Sequence, residues 1–599
     1  MAFNPSALYH NRHFGGGGGG GGNRNSLYNS IIQTAQNLQQ KYTKTDSTLL
    51  YQKDFNVPIE IDQPGIYKLM ENINLKFYPN KDDIYDVATT EADLFGFAAG
   101  IKISSHDVVL DLNGFTIAQS PQDFCVQRFF AIIQLNNSPF RINSGPIPHV
   151  RTKLEKANRC VIKNGTLGLS SHQAILGNDN TNIILENLTI RDFEVTGITL
   201  NNVNTVYLNN IRIQSSIGVT KPLPVSPYFS TLIFNLRLLK LLLNYSGTTE
   251  QNKSLIVKTF QNIEKNLDPF FSAIYSSGNL NSIYSNFSLL ANRYRDLKFL
   301  FNMSKFSPCA IQGIKITGPT PGISAFHQST QDDAKGEKST NIYINNCTFQ
   351  DLVAKVNPTV CVTHGKKLIH VGAGLKLTAE LLDKPMIQDL VVTMNSLKQN
   401  TSLKRFLSPG PPSKTATPVN NDVIEHMKVG RNSSKKMGFD KSHDMMGHVG
   451  KGVLAVRIGC SANVTLKNIT ISNIQNIGER IKKNVEYNLN RRYNIEKMDE
   501  TPDTFLTPLS SHGSYAMGII FSGVKNCIME NCIIKRIQAP DGAAVGLAVN
   551  NICTRFNINN VDISNLSSCK DCFDSAIFVV DEQSSHITTN NLTLNPSST

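Results

Sequence analysis

The residues able to do acid–base chemistry are few and scattered. Asp179 stands in GNDN, and Asp332 and Asp333 stand together in QDD. Glycoside hydrolysis needs two carboxylates facing one bond, one as acid and one as base or nucleophile. These three aspartates are the catalytic candidates. Asp is also a common turn former, because its side chain bonds to backbone two residues on. The loop-like surroundings of Asp179, Asp332 and Asp333 favour that reading.

Other reactive groups carry less chemistry. Cys569 and Cys572 form a lone C-x-x-C, without the second pair of a zinc site or the βαβ context of a redox motif. His443, Asp444 and His448 in HDMMGHVG have ligand types, but their Gly and Met neighbours read as a loop. GHVGKG at 447–452 lacks the spacing of a phosphate-binding loop. No metal site and no cofactor is expected.

The elements that must position these groups are short alternating strands. NIILENLTI (182–190) and TVYLNNIRI (205–213) superpose, with Leu185 answering Leu208, Leu188 answering Ile211 and Ile190 answering Ile213, each 23 residues later. Alternation sends every second side chain to one face. A repeat of this length marks a solenoid, in which stacked units bury a core that no single unit can bury. One Asn recurs in the same slot: Asn113, Asn164, Asn187, Asn210, Asn346, Asn468, Asn531, Asn560 and Asn591. Gly313 in IQGIKIT is assigned to that slot as well. Asn and Gly tolerate the left-handed conformation that a sharp bend needs. Stacked amides can also bond to one another, so the Asn column is expected to be a buried structural ladder. Cys347 and Cys532 follow the ladder Asn and are expected to be small core residues.

A first strand opens with Gly or Ala thirteen residues before the Asn in many coils: Gly100, Ala174, Gly197, Ala455 and Gly518. In the last two coils it opens at Gly546 and Ala576. The outward positions of these first strands are Lys102, Leu176, Thr199, Arg457, Ile520, Ala548 and Phe578. Lys102, Thr199 and Arg457 are the candidate binding residues, the two cations for an anionic sugar.

The unit resembles the right-handed parallel β-helix of the pectin-lyase-like superfamily. IEIDQPGIYKLMENINL (59–75) and GIKISSHDVVLDLNGFTI (100–117) are similar to the opening coils of its β-helix-repeat members. The resemblance implies an all-β solenoid of about ten coils, roughly 48 Å long at strand spacing. It implies a substrate cleft on the first-strand face. It does not select an activity, because the superfamily holds lyases, hydrolases, epimerases, tailspikes and adhesins. The calcium carboxylates of its lyases and the aspartate set of its hydrolases are not found.

Organisation follows from where the strand pattern stops. Residues 1–22 are a tip with a tether of eight glycines, and 23–55 a helical cap over the first coil. The β-helix occupies 56–599. Insertions fall at about 222–305 (three amphipathic helices), 354–450 (mixed) and 478–513 (charged). The second and third leave after a third strand and precede a first strand. They form a wall beside the first-strand face.

The formal net charge is +13, with Lys and Arg spread along the chain and not gathered in an arm. Specific nucleic-acid binding is therefore not expected. No signal peptide and no apolar run of about 18 residues is visible, so membrane insertion is not expected either. The 11 cysteines do not form a disulfide framework. The tether, the side loops and the missing catalytic set point to a non-enzymatic structural or attachment protein. Its similarity to β-helix proteins of large DNA viruses suggests a virion or cytoplasmic location. Its expected partners are other structural proteins, docked through the N-terminal tip, and a polysaccharide or glycan. The alternatives are a lyase or hydrolase acting on the first-strand face, and a scaffold that binds protein through the helical insertion.

Overall fold

A computed structural model describes residues 47–85, 97–139, 154–217, 250–286, 311–318, 339–354, 452–477, 514–550, 553–568, 576–580 and 584–595. Positions 128, 284 and 541 are excepted, and position 243 is added. Most of these residues are β-strand. The 23 strands among the described residues belong to one sheet system whose named pairings are parallel.

The strands form three columns. The first column stacks Ile59–Ile61, Phe97–Ile103, Phe129–Gln134, Gln173–Asn178, Thr196–Asn201 and Ile311–Thr317. It continues through the leading parts of Gly452–Lys467 and Ser514–Ala539 to Gly542–Asn550 and Ala576–Val580. The second column starts at Thr48–Leu50, before residue 56, and reaches the leading part of Ser585–Asn595. The third starts at Ile73–Leu75 and includes Thr348–Ala354 and Thr470–Asn476. Longer strands such as Thr181–Arg191 bend once and serve the second and third columns in turn.

The register follows the repeat. Leu185 pairs with Leu208, Leu188 with Ile211 and Ile190 with Ile213. These side chains lie in one continuous apolar core running from Leu50 to Leu566. Each fully buried Ile or Leu contributes about 2 kcal/mol of transfer free energy. The parallel ladders satisfy backbone groups that burial would otherwise leave unpaired.

Two assignments need correction. Gly313 lies in the first column, level with Gly197 and Ala455, and not in the Asn slot. Its need for glycine is steric: a Cβ there would sit 2.6 Å from the Ala455 carbonyl oxygen and 2.8 Å from Phe349 Cδ1. In the last coil the register is shifted by one. Ala576 pairs with Val545, and Val579, not Phe578, stands level with Ala548.

The three longest connections between described strands leave the third column and re-enter the first. The chain leaves after Ser215, Ala354 and Asn476 and returns at Ile311, Gly452 and Ser514. The first insertion therefore departs from the same corner as the other two. Helix α1 (Pro121–Val126) also lies in a third-to-first connection, with Ser120 as its N-cap. Helix α2 (Glu250–Tyr275) lies within the insertion at 222–305 expected to be helical. It docks beside α1: Gln122 Nε2 donates to the Ser277 carbonyl at 2.7 Å, and Lys81 pairs with Asp268. Most other insertion residues, the tip at 1–22 and most of the cap at 23–55 lie outside the described residues.

Candidate functional site

The Asn column is formed as side-chain hydrogen bonds between successive coils. Asn187 donates to Asn164 at 3.2 Å and Asn210 to Asn187 at 2.8 Å. Further along, Asn468 donates to Asn346 at 3.0 Å, Asn531 to Asn468 at 3.2 Å, Asn560 to Asn531 at 3.1 Å and Asn591 to Asn560 at 2.9 Å. At the N-terminal end Asn164 donates to Asp111, and Asn113 to the Leu69 carbonyl. All nine have φ between 51° and 60°. The expectation that they are buried is wrong. Asn164 is half-buried and the others are exposed, because a one-residue bend turns its side chain out of the coil.

Asp179 belongs to a second corner of the same kind. Its φ is 57°, its amide donates to the Asn201 carbonyl at 2.9 Å, and its carboxylate accepts from Asn202 Nδ2 at 2.5 Å. Its carboxylate thus holds a turn against the next turn. A further ladder escaped sequence reading: Asn526 donates to Asn463 and Asn463 to Asn341, each at 3.1 Å. The signal that could find it is an Asn five residues before Asn346, Asn468 and Asn531, each with positive φ in the structure. Asp332, Asp333, His443, Asp444, His448, Cys569 and Cys572 lie outside the described residues. Among the described residues, no three of His, Cys, Asp and Glu come together as a metal site would require. Cys347 and Cys532 are buried in the core, and burial pushes their thiols up to about 12 and about 11.

The outward row of the first column reads, in pairing order, Lys102, Gln134, Leu176, Thr199, Lys315, Arg457, Ile520 and Ala548. Lys102 stands beside Glu60 and Gln134, five strand spacings or roughly 24 Å from Arg457. The structure does not bring those two expected cations together. It brings Thr199 and Arg457 to either side of Lys315, a residue that sequence reading missed. Lys315 lies in IQGIKIT, whose Gly313 the repeat pattern assigns to the Asn slot and not to a first strand.

This part of the row is a polar island. Leu176 precedes it and buried Ile520 follows it. Ile520 belongs to an apolar patch with Leu454, Met517, Val545 and Ala548. The adjacent outward row carries Thr196, Gln312 and Leu454, all neutral. Thr199 is 3% exposed, and its hydroxyl has no hydrogen-bond partner. Lys315 is half-buried. Burial, and secondarily the Arg457 charge, lower its pKa to about 8.

A second polar cluster sits where α2 meets α1. Asp123 is 1% exposed and accepts from the Phe77 amide at 2.6 Å and Ser120 Oγ at 3.0 Å. Burial raises its pKa to about 6 against the lowering effect of these donors. Burial and the nearby Asp123 charge also raise the pKa of Tyr275, whose hydroxyl is buried without a partner. Tyr78 closes the cluster by donating to Gln127 Oε1 at 2.7 Å.

Among the described residues no helix is long and apolar enough to cross a membrane. No protein-family model and no curated protein matches the chain. Among solved structures, the crystal structure of PfbA, a surface adhesin of Streptococcus pneumoniae, is similar at a TM-score of 0.23 and 9% identity. The match covers 97% of this chain and 89% of that one. A TM-score at this level does not define a shared fold.

Proposed function

We propose that the chain is a right-handed parallel β-helix of about ten coils acting as a non-enzymatic structural or attachment protein. It would be part of a larger particle, such as a virion, with residues 1–22 as the docking tip. Its first-column face would recognise glycans. The observation that carries this reading is the unbroken parallel pairing of the first column from Ile59 to Val580. A shared core and continuous ladders make a stiff rod, suited to presenting a surface at a distance from its anchor. The departure of three insertions beside that column supports the face as the recognition surface.

The test is incubation of the full chain with acidic and neutral polysaccharides, with and without calcium, following retention and chain length. Retention without shortening is expected. Shortened chains would replace this reading with a lyase or hydrolase. Neither retention nor shortening would remove the glycan.

A further inference from the structure

We propose that Thr199, Lys315 and Arg457 form a binding site for an oxyanion, either the carboxylate of an acidic sugar or a free sulfate or phosphate. The three residues occupy one outward row on three successive strands of the first column. Neighbouring strands are about 4.8 Å apart, so a tetrahedral or carboxylate anion can reach two of these side chains at once. Thr199 contributes a hydroxyl, Lys315 an ammonium and Arg457 a guanidinium fork, all of them donors.

Three observations point to a ligand. Two cations stand in adjacent register although like charges on neighbouring strands repel. Lys315 is half-buried, and its outward neighbours in the next row, Thr196, Gln312 and Leu454, carry no carboxylate. The Thr199 hydroxyl is buried and unused. A buried polar group in that condition destabilises the fold unless something accepts its hydrogen bond. An anion between the strands would satisfy the Thr199 hydroxyl and offset the Lys315 charge.

Only the sugar arm of this inference rests on the glycan-binding reading. The experiment is thermal unfolding and calorimetric titration of the full chain with sodium sulfate, sodium phosphate and oligogalacturonate. Chloride at equal ionic strength is the control. Saturable binding of at least one oxyanion is expected, weakened tenfold or more in Lys315→Met and several-fold in Thr199→Val. Lys315→Met is also expected to unfold at a higher temperature without ligand, because it removes an unpaired charge; this shows that the variant folds.

If sulfate or phosphate binds, weakens in Lys315→Met, and oligogalacturonate does not bind, the site stands and the acidic-glycan reading falls; oxyanion binding equal in both proteins overturns the site. If oligogalacturonate binds wild type and fails with Lys315→Met, both stand. If oligogalacturonate binds both proteins equally, glycan recognition stands and this site is overturned. The site is equally overturned if no oxyanion exceeds chloride.

Discussion

Lys315 and Arg457 lie side by side in the parallel register of the first column, with Thr199 on the other side of Lys315. The ammonium titrates at about 8 in the fold against an ordinary 10.5. A lowered lysine pKa means that the unfolded chain holds the proton more tightly. Between pH 8 and 10.5 the unfolded state binds more protons than the native state, so stability rises with pH across that window. Below pH 8 both states are charged and the penalty is fully present. Urea unfolding at pH 7.5, 9 and 10.5 should show wild type gaining on Lys315→Met as pH rises. A constant difference would place the ammonium in water.

Asp123 titrates in the opposite sense. Its folded pKa of about 6 exceeds the ordinary 3.8, so the native state favours the protonated acid. The contribution of Asp123 to stability is greatest below pH 4, falls as pH rises from 4 to 6, and is level above. Asp123→Asn removes the titration. The stability of wild type relative to Asp123→Asn should therefore decrease between pH 4 and 6.5, read by chemical denaturation. The cluster joins α1 to α2, so protection of the α2 amides from hydrogen exchange should decrease over the same range.

The Asn ladder is testable at Asn468, which donates to Asn346 at 3.0 Å and accepts from Asn531 at 3.2 Å. Its φ is 54°. Asn468→Ala loses the side-chain bonds and the short polar side chain that lets Asn tolerate the left-handed region, at about 1–2 kcal/mol. Asn468→Gly loses the bonds but relieves the backbone, so it should be less destabilising than Ala. Equal losses in the two variants would assign the whole effect to the hydrogen bonds.

Gly313→Ala should destabilise by about 1–3 kcal/mol through overpacking against Phe349 and the Ala455 carbonyl. Phe349→Leu in the same chain should recover part of that loss, since the ring is the movable partner. Additive losses in the double variant would mean that the backbone contact dominates.

The local pattern was legible because alternation and bend chemistry are short-range. Leu185, Leu188 and Ile190 could be matched to Leu208, Ile211 and Ile213 from spacing alone, and each Asn announced its bend. Glycine misled the reading because it serves two needs. At Gly313 it admits a close carbonyl, whereas in the Asn slot it would supply a positive φ, and sequence does not separate these. The outward face of the second column was not legible either. Ile66, Val109, Val161, Ile184, Tyr207 and Tyr343 form an apolar outer row there, set apart from the main core.

By itself, the sequence determined which side chains point inward, where the chain bends and that the units stack. Those properties depend on residues a few positions apart and on a repeat that is locally regular. Tertiary structure decided which outward residues become neighbours. Insertions of unequal length separate the coils, so no spacing along the chain places Thr199, Lys315 and Arg457 in one row. Only the hydrogen-bonded register between strands does that. The same register sets Lys102 far from the pair and confines Asp179 to a turn.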